Sequence, residues 1–202
     1  MTVHPLFPTP VAFFTLERNL TKSELKFIET LEQKPNQFNT TSLDSYILEH
    51  KKLAKLKPWF QECIDSYVGT ILAPITEFKL RITQSWANYT MPSQAHHRHA
   101  HPNSFISGVF YPKADINKDK IYFWKTTGYK QLDYEVKEFN PFNSDSWWFN
   151  VGNNMLILFP SQLEHTVEPV TDGELRISIA VNTFPVGQLG NDHTLTGLTL
   201  KG

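Results

Sequence analysis

The chain has 202 residues, enough for one domain of ordinary size with its own core, and a formal net charge of −1. So balanced a charge argues against sequence-independent binding to nucleic acid, which needs a basic face to neutralise phosphates. The sequence lacks a run of about 18 apolar residues, which excludes a membrane span, and Met1–Pro5 has neither the basic nor the apolar region of a signal peptide. The single cysteine, Cys63, cannot form an internal disulfide, and its place in a predicted helix reads as core filling. A cytoplasmic setting is the expectation.

Residues 5–16 read as a proline-stiffened entry into an edge strand. Thr21 and Glu24 form a capping-box pattern, and Leu25, Ile28 and Leu31 share a face of the helix that follows, which Pro35 should end. Residues 36–45 are polar and read as a loop. A second helical region runs from about Asp44 to Leu72, interrupted near Pro58. Leu53, Leu56, Trp59, Phe60, Cys63, Ile64, Tyr67 and Ile71 recur along it at helical spacing. Lys51, Lys52, Lys55 and Lys57 read as its solvated face.

Beyond Pro74 the period changes to two. Phe78–Tyr89, Phe105–Tyr111, Lys120–Trp124 and Asn154–Pro160 read as strands, and residues 125–150 as an irregular insertion with room for one short strand. Thr166–Val170 and Leu175–Asn182 flank Asp172-Gly173, a hairpin signal. The tail from Gly187 has the pattern of one more strand. The fold class expected is mainly β with flanking α: two or three helices, then about eight short strands in an antiparallel sandwich or barrel.

Four of the eight histidines fall in His96-His97-Arg98-His99-Ala100-His101. Imidazole is the commonest metal-binding side chain at neutral pH. Alternate strand residues share a face, so His99 and His101 can aim at one ion, and His97 with them if the strand extends back. The bland alternative is a wet histidine-rich loop. Downstream, His165 follows an apolar strand, and Arg176 lies across the Asp172-Gly173 turn with Ser178 on its face. A hairpin of that length would put His165 and Arg176 on neighbouring strands. The set is coherent: histidines for a divalent metal with open positions, a guanidinium fork for a carboxylate, and a hydroxyl beside it. His96 and His97 read as residues standing just behind the metal ligands, or exposed, and His4, His50 and His193 as surface residues.

The stretches Gln84–Asn88, His97–Tyr111, Leu158–His165 and Arg176–Asn182 resemble the Fe(II)- and 2-oxoglutarate-dependent oxygenases, in particular a group frequent in marine phages and bacteria. Ser45–Glu49 and the Lys57–Tyr67 helix extend the resemblance over nearly the whole chain, as one domain, 1–202. In it residues 1–75 give helical support and 76–202 a double-stranded β-helix (jelly-roll or cupin-like) core. The resemblance implies Fe(II), 2-oxoglutarate and dioxygen, with oxidative decarboxylation to succinate coupled to hydroxylation of a substrate it does not identify. His99 and His165 would be metal ligands. Arg176 would hold the far carboxylate of 2-oxoglutarate with Ser178 and Tyr111, and Asn88 and Asn182 would line the cavity. At His101 the family's usual motif has a carboxylate. Either His101 is the third ligand of an all-histidine face, the arrangement expected, or water replaces it. The aromatic stretch 122–149 suits a lid over a substrate, or aromatics packed on the barrel. Two other readings stand: a cupin-like binder without turnover, which leaves Arg176 and Ser178 unexplained, and a phage structural domain that would hold no iron. The sequence shows no signal for a membrane partner or for a homodimer, although dimers are common among β-sandwich proteins.

Overall fold

The computed structural model describes residues 1–75, 78–126 and 134–201. Its strands form two antiparallel sheets. The larger contains β1 (Ala12–Thr15), β2 (Gln33–Pro35), β3 (Thr40–Ser42), β4 (Phe78–Thr90), β6 (Ile106–Lys113), β9 (Met155–Pro160) and β11 (Arg176–Leu189). They lie in the order β1-β9-β6-β11-β4-β3-β2, with β12 (Leu198–Leu200) paired to β11. The smaller runs β5 (His96–His99), β10 (His165–Val167), β7 (Lys120–Trp124), β8 (Ser146–Asn150). This is a double-stranded β-helix.

The period-two pattern explains the layering. On β6, Phe110 packs into one apolar cluster while Val109 and Tyr111 pack into another; on β9, Leu156 and Leu158 part from Ile157 and Phe159 in the same way. The first cluster lies under the helices, the second between the sheets. Both strands are buried on both faces, so they read as continuous apolar runs. Gly108 sits where β6 comes close to its neighbours: a Cβ there would lie 2.6 Å from Leu158 Cδ2 and 3.0 Å from Val181 Cγ2.

Helix α1 (Lys22–Glu29) starts at the capping box: Thr21 Oγ1 accepts from the Glu24 amide at 3.2 Å, and Glu24 accepts from the Thr21 amide at 2.7 Å. Arg18 grips the same carboxylate at 2.7 and 2.8 Å. Helix α2 (Leu56–Tyr67) buries Leu56, Phe60, Cys63, Ile64 and Tyr67. Its Trp59 and Phe60 rings meet Phe110 of β6 edge-on at 5.6 and 5.4 Å. Burial pushes the Cys63 thiol up to about 12, which suits packing and not nucleophilic chemistry.

The structure departs from the sequence reading in four places. Helix α1 stops at Thr30, not Pro35, and the polar segment 36–45 is not a loop throughout: β2 and β3 form a hairpin there that extends the larger sheet through β4. The second helical region breaks before Leu56, so Pro58 falls in the first turn of α2, where its missing N–H costs no helical bond. The predicted Asp172-Gly173 hairpin is absent: β10 pairs with β5 and β7, whereas β11 pairs with β4 and β6. Pro169 cannot donate to a ladder, and the chain crosses there from the smaller sheet to the larger. His165 and Arg176 therefore lie on opposed sheets, not on neighbouring strands. The insertion does supply the one short strand expected of it, β8, while residues 127–133 of the suggested lid fall outside the described residues. Among the described residues no helix is long and apolar enough to cross a membrane.

Candidate metal and anion site

The site lies between the sheets. On the larger sheet, paired residues share a face: Asn182 with Gln84, Ala180 with Trp86, Ser178 with Asn88, Arg176 with Thr90. Tyr111 of β6 joins this face. On the smaller sheet His165 pairs with His99 on one side and Phe123 on the other. One cavity is lined by Trp86, Asn88, His96, His99, His101, Tyr111, His165 and Ser178, among others.

His99, His101 and His165 each place one ring nitrogen within 4.8 Å of the others, an arrangement able to hold a metal ion. Hydrogen bonds choose which nitrogen is free. His99 Nδ1 donates to the His97 carbonyl at 2.7 Å and His165 Nδ1 to the Leu163 carbonyl at 3.3 Å. His101 Nδ1 donates to Asn182 Oδ1 at 2.8 Å. Asn182 is itself fixed, accepting from Ser107 at 3.0 Å and donating to Gln84 at 3.3 Å. A carbonyl oxygen can only accept, so the proton of each neutral ring sits on Nδ1 and the Nε2 lone pair is left for a ligand. The Nε2 atoms of His101 and His165 stand 3.3 Å apart. Two lone pairs facing at that distance repel. Two nitrogens bound at about 2.1 Å to one ion lie about 3.0 Å apart at a right angle and about 3.4 Å apart at a tetrahedral angle, so the donor set fits a metal. Burial keeps the rings neutral: it lowers His101 to about 4, and lowers His165 and His99 as well. Trp86 stacks on His101 at 5.6 Å and Phe159 meets His165 edge-on at 4.8 Å, which holds both rings in place.

Arg176 is 4% exposed and lies toward the rim, not in the lining around the histidines. Its Nη1 donates to Asp119 Oδ1 at 3.2 Å, and Asp119 Oδ2 accepts from the Asp115 amide at 2.8 Å. Burial lowers the Arg176 pKa while Tyr111 and Asp119 oppose it. Tyr111 Oη and Asn88 Oδ1 are buried without a hydrogen-bond partner, in the same cavity as Ser178. Burial holds the Tyr111 phenol neutral, as a donor. Buried polar atoms are rarely left alone, so this half of the cavity suits a polar ligand.

Of the site residues expected from sequence, His99, His101, His165, Tyr111, Asn88 and Ser178 line the cavity, Asn182 stands behind His101 instead of lining it, and Arg176 lies beside it. His4, His50 and His193 are exposed. Two participants were not foreseen. Asp119 lies far from Arg176 in sequence, and nothing local marks it as a partner. His96 lines the cavity itself instead of standing behind the ligands or lying exposed, because of an irregularity in β5 that no periodicity reveals.

Residues 84–182 match a family model described as "Putative 2OG-Fe(II) oxygenase". No curated protein matches the sequence. Similar solved structures include a Pseudomonas putida prolyl-4-hydroxylase, at 11% identity and TM-score 0.57 over 87% of this chain and 92% of that one. HygX from Streptomyces hygroscopicus, crystallised with nickel and 2-oxoglutarate, is similar at 8% identity and TM-score 0.58 over 87% and 82%. An oxidoreductase of the 2OG-Fe(II) oxygenase family from Burkholderia pseudomallei is similar at 12% identity and TM-score 0.51 over 85% and 83%. At such identities the structures speak for the fold alone; the family match spans just under half of the chain and covers the strands carrying the histidines and Arg176.

Proposed function

We propose that the chain is a dioxygenase dependent on Fe(II) and 2-oxoglutarate, coupling decarboxylation of 2-oxoglutarate to succinate with hydroxylation of a substrate. Residues 1–202 would act as one domain. The observation that carries this reading is the convergence of three proton-free Nε2 atoms in one cavity with the unpartnered Tyr111 and Asn88 oxygens, a buried guanidinium lying beside it. Bound Fe(II) would supply the activation of dioxygen. His99, His101 and His165 hold the ion, and the carbonyls of His97 and Leu163 and the amide of Asn182 keep their rings aimed at it. Three neutral imidazoles leave both positive charges of the ion uncompensated, which favours a dianionic co-substrate in the adjoining positions. Arg176 takes the far carboxylate with the guanidinium N–H groups that Asp119 leaves free. The Tyr111 and Ser178 hydroxyls complete that cradle, and Trp86, Phe123 and Phe159 keep water from the metal side.

The test is an anaerobic titration of the metal-free protein with Fe(II) and then 2-oxoglutarate, followed by air and a succinate assay. A visible metal-to-ligand charge-transfer band on adding 2-oxoglutarate, and succinate after air, are expected. Iron binding with no band would overturn the reading.

A further inference from the structure

Strand β5 contains an irregularity with a chemical consequence. His99 pairs with His165 and His96 with Val167, so two β5 residues, His97 and Arg98, oppose the single residue Thr166. This is a β-bulge. In a regular strand His96 and His99, three positions apart, would face opposite ways; the extra residue turns both into the cavity. Arg98 is left pointing outward, against Glu164 and over Trp124. The His96 ring stacks on His99 at 4.6 Å, and the His97 ring lies 4.7 Å from His99. Each of the three offers a ring nitrogen within 4.8 Å of the others. Among the described residues His97 Nδ1 is buried and has no hydrogen-bond partner, and the contact of the His96 ring to Asn39 Nδ2 is long at 3.5 Å. These rings are thus only weakly committed, unlike those of His101 and His165.

We propose that His96, His97 and His99 form a second metal position, exclusive with the first because both use His99. His99 Nδ1 is committed to the His97 carbonyl, so one lone pair, on Nε2, serves either set but not both. An all-imidazole set suits Zn(II), Ni(II) or Cu(II) at least as well as Fe(II). An ion seated there withdraws His99 from His101 and His165 and leaves the first set with two ligands. The bulge therefore makes the centre switchable by a competing metal. The second position itself does not depend on the dioxygenase reading; its effect on the first does.

The experiment is a Co(II) titration of the full metal-free chain, followed by visible absorption. Wild type, His165→Ala (first set broken), His97→Ala (second set broken), His97→Ala/His165→Ala and His99→Ala are compared. His101→Ala and His96→Ala serve as replacements should either single variant fail to fold by circular dichroism. Wild type should bind one equivalent. His165→Ala should still bind one, with a changed spectrum, and at least about ten-fold more tightly than the double variant. His99→Ala should bind as weakly as the double variant. Two equivalents in wild type would overturn exclusivity, and equal affinities of His165→Ala and the double variant would overturn the second position. Tight binding by His97→Ala reports the first set separately. Its loss there, with binding kept in His165→Ala, would sink the first set and leave the second standing.

Discussion

The two sheets divide the site between them, and they are built differently. The larger sheet presents Asn88, Ser178, Arg176 and Asn182 from β4 and β11, strands of 13 and 14 residues in near-continuous register. The smaller presents His99 and His165 from strands of 4 and 3 residues that meet through a bulge. Long regular strands space side chains evenly, which suits a ligand held at several points along its length. Short irregular strands leave backbone carbonyls out of the ladder, and those of His97 and Leu163 are the ones that orient the histidines. The larger sheet supplies rulers; the smaller supplies aimed atoms.

The largest effect should come from the larger sheet. Arg176→Met strands the Asp119 carboxylate, itself buried, and should cost about 3–5 kcal/mol of stability. Adding Asp119→Asn should recover most of that in urea unfolding, and a failure to recover any would mean that the pair is not coupled. Anaerobic titration should show the charge-transfer band lost in both variants, whereas Asp119→Asn alone should bind 2-oxoglutarate more tightly, because its guanidinium is no longer shared.

Acid should act on the smaller sheet and its neighbour His101. The unfolded chain takes up protons on histidine below about pH 6.5, whereas folded His101 resists until about 4 and His96 until about 3, in both cases chiefly through burial. Between those values the unfolded state holds more protons, so the metal-free protein should lose stability as pH falls from about 6.5 toward 3. His101 alone should account for a loss on the order of 2–3 kcal/mol. Urea midpoints measured at pH 7 and pH 4.5 that did not differ would contradict neutral buried rings. The two sheets meet at Asn182, which lies on β11 yet fixes the tautomer of His101. Asn182→Ala should weaken Co(II) binding about 10- to 100-fold without moving 2-oxoglutarate affinity as Arg176→Met does. Equal losses of both would mean that the division of labour is false.

How much of this could be read from the chain follows from the same contrast. Regular elements announce themselves: the capping box at Thr21, the alternation along β4 and the apolar run of β9 are local patterns, and the structure carries them out. Arg176 and Ser178 share a face because period two holds on β11. The smaller sheet is another matter. His99 and His165 stood out as metal-binding residue types, but the bulge that brings His96 inward has no local signature. The assignment of β10 and β11 to different sheets depends on partners far away in sequence. Asp119 is 57 positions from Arg176, and only the packing of the two sheets against each other makes them neighbours. The β2–β3 hairpin was hidden by polar residues, since an edge ladder needs little burial.

The same contrast predicts where mutation matters less. Gly108→Ala on the larger sheet puts a methyl against Leu158 and Val181, both with no exposed surface. Overpacking of that kind should cost about 1–3 kcal/mol, read as a lower urea midpoint with metal affinity unchanged. Arg98 on the smaller sheet offers the smallest effect. It pairs with Glu164 and lies 4.6 Å over the Trp124 ring, but the two charged side chains are 46% and 39% exposed. Water screens such a pair, and its ordering offsets part of the attraction, so Arg98→Ala should cost less than about 1 kcal/mol. The bulge should survive, because its geometry rests on the β5–β10 pairing and on Thr166 Oγ1 donating to the His96 carbonyl at 2.7 Å. Neither contact involves the Arg98 side chain. Co(II) affinity should therefore stay within about two-fold of wild type, well short of the ten-fold loss that a disturbed supporting contact brings. A larger loss, at unchanged stability, would mean that the outward arginine is what keeps its histidine neighbours turned in.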